Sequence, residues 1–151
     1  MNREHWERIY EGAFPVVYRA LVAMGARPDE AEDALHEAFE RALGRDQLER
    51  PDGWLFVTAV RRWRRRRIRD RIFRPLAFLD AGSSDPPEDE RVTLFAEMRR
   101  LPLRQRQVLV ARYVLGYSQD ETASLLGIAR GTVAATTSQA AAALRRRLGS
   151  R

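Results

Sequence analysis

The chain has 151 residues, 44% hydrophobic and 32% charged, an apolar content at which disorder throughout is not expected. Its 27 lysine-plus-arginine positions are all arginine, a usage that also fits G+C-rich coding. The net charge of +6 and isoelectric point near 10.8 favour a polyanionic partner, because arginines displace the counterions condensed on phosphates. The lack of cysteine excludes disulfides and thiolate metal sites. The two histidines, His5 and His36, are too separated to suggest zinc, so no metal and no cofactor are expected. Charges stand where a signal peptide needs an apolar run, and no apolar stretch of about 18 residues occurs, so a cytoplasmic chain without membrane insertion is expected.

In chain order, Trp6, Ile9, Tyr10, Ala13, Phe14, Val17, Leu21 and Met24 recur at steps of three and four. That spacing predicts an amphipathic helix from about Arg3 to Gly25, or two shorter helices bent near Pro15. In "RPDEAEDALHEAFERALGR" a proline and acidic residues crowd the start and Gly44 closes the end, which predicts a second helix. Ala31, Leu35, Ala38, Phe39 and Ala42 form its apolar stripe, and Asp33, His36, Glu37 and Glu40 form a polar one.

After a turn ending at Pro51, Trp54, Leu55, Val57, Val60, Ile68 and Ile72 predict a third helix whose far part, "RRWRRRRIRDR", is heavily basic. Periodicity then fails over 74–87, "RPLAFLDAGSSDPP", which reads as a linker. Beyond it, "EDERVTLFAEMRR" and "PLRQRQVLVARYVLG" read as two more helices. Ser118 with Glu121 three residues on forms a capping box, and Gly127 must stop the helix that it opens. A last helix runs from about Arg130 to Leu148. No strand signal and no internal repeat is present.

The short helix from Ser118 to Leu126, the turn Gly127-Ile128-Ala129 and the helix opening at Gly131-Thr132-Val133 make a helix-turn-helix, with Ala123, Leu126, Ile128, Val133 and Ala140 or Leu144 as its expected seam. A plain helical bundle with an incidental turn is the alternative. The stretch "LPLRQRQVLVARYVLGYSQDETASLLGIARGTV" resembles region 4 of bacterial sigma-70 family factors, which reads the promoter minus-thirty-five element. Upstream, "EAEDALHEAFERA" resembles region 2 of the same family. The two in this order resemble the extracytoplasmic-function (group IV) class. The resemblance implies an all-α fold of two small helical domains joined by a short linker: a region 2-like bundle over 1–73, a linker over 74–87, and a region 4-like helix-turn-helix domain over 88–151.

It also implies roles. Asp33, His36, Glu37 and Glu40 fall on the face that docks on the clamp helices of core RNA polymerase; a solvated acidic face is the plainer reading. His36 replaces the usual glutamine with a shorter side chain that can charge. Arg61, Arg62, Trp63, Arg64 and Arg65 fall on the helix that tracks minus-ten DNA, with Arg61 where the family usually has asparagine. Trp63 either stacks on an exposed base or packs inward. The loop from Gly44 to Arg50 corresponds to a pocket for a flipped base.

On the reading helix, Ala134, Ala135, Ser138 and Gln139 occupy the base-reading positions, where the family commonly has lysine or arginine and serine, then an apolar or polar residue and arginine one turn later. Gln139 suits adenine and alanine suits a thymine methyl, which predicts an A/T-leaning element. Arg112, Arg130 and Thr132 are expected to anchor phosphates. The expected partners are core RNA polymerase and promoter DNA, and the resemblance allows for an anti-sigma factor. The departures at His36, Arg61, Ala134, Ala135 and Gln139 motivate a rival: a degenerate sigma-like protein that binds polymerase or an anti-sigma factor without reading promoters. An ordinary helix-turn-helix regulator leaves the acidic region 2 motif unexplained. No constellation suggests an enzyme.

Overall fold

The computed structural model describes residues 3–45, 48–73 and 90–149, and the predicted linker lies outside them. The described residues form seven α-helices: α1 (Arg3–Met24), α2 (Pro28–Ala42), α3 (Pro51–Phe73), α4 (Glu90–Met98), α5 (Leu103–Tyr113), α6 (Gln119–Leu126) and α7 (Arg130–Gly149).

Helix α1 runs unbroken through Pro15. The proline faces solvent, where water can take the carbonyl that its missing N–H leaves free, so the bend allowed by the sequence is not needed. Helix α2 opens with Pro28 in its first turn and Asp29 and Glu30 against the positive end of the helix dipole; the Glu30 carboxylate accepts from the Arg27 amide at 3.0 Å. Its whole expected stripe, Ala31, Leu35, Ala38, Phe39 and Ala42, is buried, joined by Ala34.

The first core lies where α1, α2 and α3 meet, around Val17, Leu21, Met24, Leu35, Leu55, Phe56 and Val60. Burying a side chain of this size fully contributes about 1.5–3 kcal/mol. Around α7 gather α4, α5 and α6, with Val108, Val110, Val133 and Ala140 buried. The two groups also meet: α1 packs on α4 and α5, and α3 on α6, so the buried cluster runs on from the first group through Met98, Leu101, Leu109, Leu115 and Tyr117. Arg106 reaches across that junction and donates to the Met24 carbonyl at 2.5 Å. Burial, then the neighbouring Arg64, Arg67 and Arg99, push its guanidinium below the ordinary value. No described helix is long and apolar enough to cross a membrane.

Candidate nucleic-acid interface

The α6–α7 unit is built from local signals. The Ser118 hydroxyl accepts from the Glu121 amide at 3.1 Å, and the Glu121 carboxylate accepts from the Ser118 amide at 2.9 Å, so both expected arms of the capping box form. Gly127 ends α6 in the left-handed region at φ 68°, a conformation that costs a Cβ-bearing residue about 1–2 kcal/mol. Ser118→Ala is expected to destabilise the chain by about 1 kcal/mol, read from denaturant unfolding. The Ser118 amide, then its hydroxyl, then the Arg50 guanidinium hold the Glu121 carboxyl below its usual range. A lowered folded-state value means that this stabilisation is complete above the ordinary glutamate pKa and is lost as the pH falls through the lowered one.

The seam between α6 and α7 differs in part from expectation. Val133 and Ala140 are buried as expected, but Ala123, Leu126, Ile128 and Leu144 are only half-buried, and two threonines, Thr122 and Thr136, fill the contact. Their methyl groups fit a close helix crossing, although the Thr122 Oγ1 finds no hydrogen-bond partner. Val133, Thr136 and Ala140 follow one another at steps of three and four. The opposite side of α7 presents Gly131, Thr132, Ala135, Ser138 and Gln139 to solvent, while Ala134 sits half-buried on the flank. Arg130 is exposed at the start of α7 and pairs with Asp120 at 3.3 Å. The Arg112 Nη1 donates to the Tyr117 carbonyl at 3.0 Å, so this half-buried side chain braces the α5–α6 turn.

On α3 the arginine run splits between two faces. Arg62, Arg66 and Arg67 turn toward α2, where they pair with Glu37 at 3.8 Å, Asp33 at 3.1 Å and Glu30 at 3.6 Å. Arg61, Arg64, Arg65 and the 53% exposed Ile68 lie on the other face at offsets of three, four and seven. They line a groove of about 550 Å³ whose far wall is Leu103, Arg104 and Gln107 of α5 with Leu125 and Leu126 of α6. No described acidic side chain pairs with Arg61, Arg64, Arg65 or Arg104. Trp63 settles the choice left open by spacing: it is 5% exposed and packed into the core with Arg67 over its ring at 5.6 Å, so it is a core residue and not a platform for a base.

The polar stripe of α2 is divided as well. Asp33 and Glu37 share ion pairs with α3, whereas His36 and Glu40 face outward. His36 and Glu40 border a shallow apolar hollow of about 410 Å³ formed with Trp6, Tyr10, Phe39 and Leu43. His36 lies with its ring centroid 5.5 Å from that of Phe14. Tyr10 is 42% and Leu43 61% exposed there, a surface that the sequence reading missed because it had placed Tyr10 on the core stripe. Two large apolar side chains are thus left in water beside a charged rim. In the α2–α3 loop, Arg45 covers the Trp54 ring at 5.0 Å, while residues 46 and 47 of the expected base pocket lie outside the described residues.

The described residues are all helical, with a capped helix-turn-helix and an arginine face that has no described acidic partner, the make-up of a DNA-binding protein. A sequence model of sigma-70 region 4 matches residues 91–144. The RNA polymerase sigma-E factor of Streptomyces avermitilis is 31% identical over 132 residues, covering 82% of this chain and 74% of that protein. The ECF RNA polymerase sigma factor SigM of Mycobacterium tuberculosis is 31% identical over 163 aligned positions, covering 98% of this chain and 79% of that protein. The chain belongs to the extracytoplasmic-function group of the sigma-70 family of RNA polymerase sigma factors.

Two solved structures share the fold. The sigma factor RpoE, in complex with the anti-sigma factor NepR from Bartonella quintana, matches with a TM-score of 0.77 at 18% identity, over 97% of this chain and 98% of that one. CnrH, in complex with the cytosolic domain of CnrY, matches with a TM-score of 0.72 at 23% identity, over 99% and 90%.

Proposed function

We propose that this sigma factor works as two parts: residues 1–73 dock on core RNA polymerase and hold minus-ten DNA, and residues 88–151, joined through 74–87, read the upstream element. The carrying observation for the second part is the geometry of α7, whose seam and exposed face lie on opposite sides. Ala135, Ser138 and Gln139 meet base edges in the major groove, with Ala134 at the margin, and Arg130 and Thr132 hold phosphates at the start of the helix. An amide and small side chains favour adenine and the thymine methyl over guanine. Gln139→Ala is expected to relax one base position by about 1–3 kcal/mol in a selection from randomised upstream elements. An unchanged preference at every position would remove Gln139 from the reading set.

For the first part, His36 and Glu40 with the neighbouring Tyr10 and Leu43 form the polymerase-docking surface, and Asp33 and Glu37 form its edge toward α3. Arg61, Arg64 and Arg65 grip minus-ten phosphates, with Arg62 beside them. The chain acts in the cytoplasm, where its polymerase is, and carries no catalytic step. It is also a candidate for an anti-sigma partner, for which the groove between α3 and the α5–α6 wall, apolar in its floor and rimmed by arginines, suits an acidic amphipathic segment.

A further inference from the structure

Four arginines converge beside the turn that ends α1. Gly25 sits in that turn at φ 113°, and a Cβ on it would stand 3.3 Å from Arg106 Nη1, 3.3 Å from Arg99 Cγ and 3.7 Å from the edge of the Trp63 ring. Arg67 covers the same ring at 5.6 Å from its centroid, and Arg64 lies one turn before Arg67 on α3. Arg106 is half-buried among them. Its Nη1 donates to the Met24 carbonyl at 2.5 Å, but its Nε is shut away from solvent with no hydrogen-bond partner among the described residues. A desolvated donor left without an acceptor costs free energy, and the side chains gathered around this one are donors too.

The charges around Arg106 are of one sign. Arg67 pairs with Glu30 at 3.6 Å, whereas Arg64, Arg99 and Arg106 have no described acidic partner. Burial, then Arg64, Arg67 and Arg99 push the Arg106 guanidinium below its ordinary value. An anion seated between them reverses that repulsion and supplies the acceptor that Nε lacks. Charge balance selects its class. Three guanidiniums without an acid carry three positive charges, and one phosphate brings only about −1.5 to −2 at neutral pH, whereas two or three linked phosphates bring roughly −3 or more. Guanidinium forks also match pairs of phosphate oxygens in geometry.

We infer that Arg64, Arg67, Arg99 and Arg106 form a binding site for a small ligand that carries a chain of two or three phosphates, inorganic or at the end of a nucleotide. Arg64 also faces the groove with Arg61 and Arg65, the set proposed to grip minus-ten phosphates, so the ligand and promoter DNA compete for one guanidinium. That consequence alone rests on the sigma-factor reading. The ligand thereby lowers the affinity of the chain for DNA without covering the reading face of α7.

Isothermal titration calorimetry of the full chain at about 0.15 M salt tests the site, with inorganic tripolyphosphate, ATP and GTP as probes and citrate as a carboxylate anion. One saturable site for tripolyphosphate is expected, with citrate at least about tenfold weaker. Arg99→Gln should weaken tripolyphosphate about tenfold. Arg100→Gln removes the same charge one residue further on, outside the groups that act on Arg106, and should change it by less than about twofold. Both arginines are exposed, so neither substitution removes core packing. Nucleotides that bind like tripolyphosphate show that the phosphate chain alone is recognised, and tighter binding of one nucleotide adds a contact to its base; either result upholds the site. No saturable binding, citrate as tight as tripolyphosphate, or Arg99→Gln and Arg100→Gln that behave alike would overturn it. The calorimetry needs neither DNA nor polymerase, so it stands apart from the sigma-factor reading. With saturating tripolyphosphate at matched ionic strength, minus-ten DNA should bind the parent several-fold more weakly and Arg99→Gln less so. DNA affinity unchanged in the parent would overturn the competition and leave the site.

Discussion

A chain carrying Arg64→Ala and Arg65→Ala is expected to bind promoter DNA more weakly at every sequence, with the slope of log affinity against log salt falling by about 2. Both side chains are exposed, stand one residue apart on the free face of α3, and have no described acidic partner. Each phosphate contact releases about 0.9 of a counterion, so two lost contacts appear mainly as a change of slope and leave sequence preference untouched. Arg66 offers an internal control. It already pairs with Asp33 at 3.1 Å, and Arg66→Ala should change the slope far less. A slope that falls equally for Arg66→Ala would mean that the division of α3 into a paired and a free face has no bearing on DNA. Filter binding or fluorescence anisotropy over a range of salt concentrations measures all three.

Leu43→Asp is expected to weaken binding to core RNA polymerase by about tenfold or more, about 1.4 kcal/mol, while leaving the fold intact. Leu43 is 61% exposed at the end of α2, so the substitution removes no core packing. Interface energy concentrates in a few large side chains at the centre of a contact, with rim charges governing rate and salt dependence more than affinity. Glu40→Arg, on the rim of the same hollow, should therefore slow association and reduce its salt dependence. Surface plasmon resonance with immobilised core enzyme separates the two effects. Parent-like kinetics for Leu43→Asp, with an unchanged unfolding midpoint, would place the docking surface elsewhere on α2.

Most of the helical framework was legible because its signals are local. Pro28 with Asp29 and Glu30, the Ser118–Glu121 box and the left-handed Gly127 each mark a boundary within one turn of chain, and the structure forms all three. The stripe of α2 was equally plain, since alanine, leucine and phenylalanine recur there without interruption. The α6–α7 seam was less so: Thr122 and Thr136 bury methyl groups, yet their hydroxyls make them look like surface residues in a pattern of polar and apolar types.

The directions of Trp63 and Arg112 were not legible for a related reason, because an aromatic among arginines and an arginine near a reading helix have the composition of DNA contacts while their direction is set by packing. The division of α3 into paired and free arginines depends on where α2 lies. The contact of Tyr117 with Asp52, 65 residues apart, leaves no trace in any window of sequence. Long-range contacts of this kind decide which side chains are left free to bind, which is why the site was less legible than the fold.

Purified chain combined with core RNA polymerase and a library of genomic DNA fragments, read as transcripts by their start sites, tests the central claim most directly. Discrete start sites that require the chain and share an A/T-leaning upstream element are the expected result. Core polymerase that binds the chain yet initiates from no fragment would contradict promoter-directed initiation, and would favour a sigma-like protein that only occupies the enzyme.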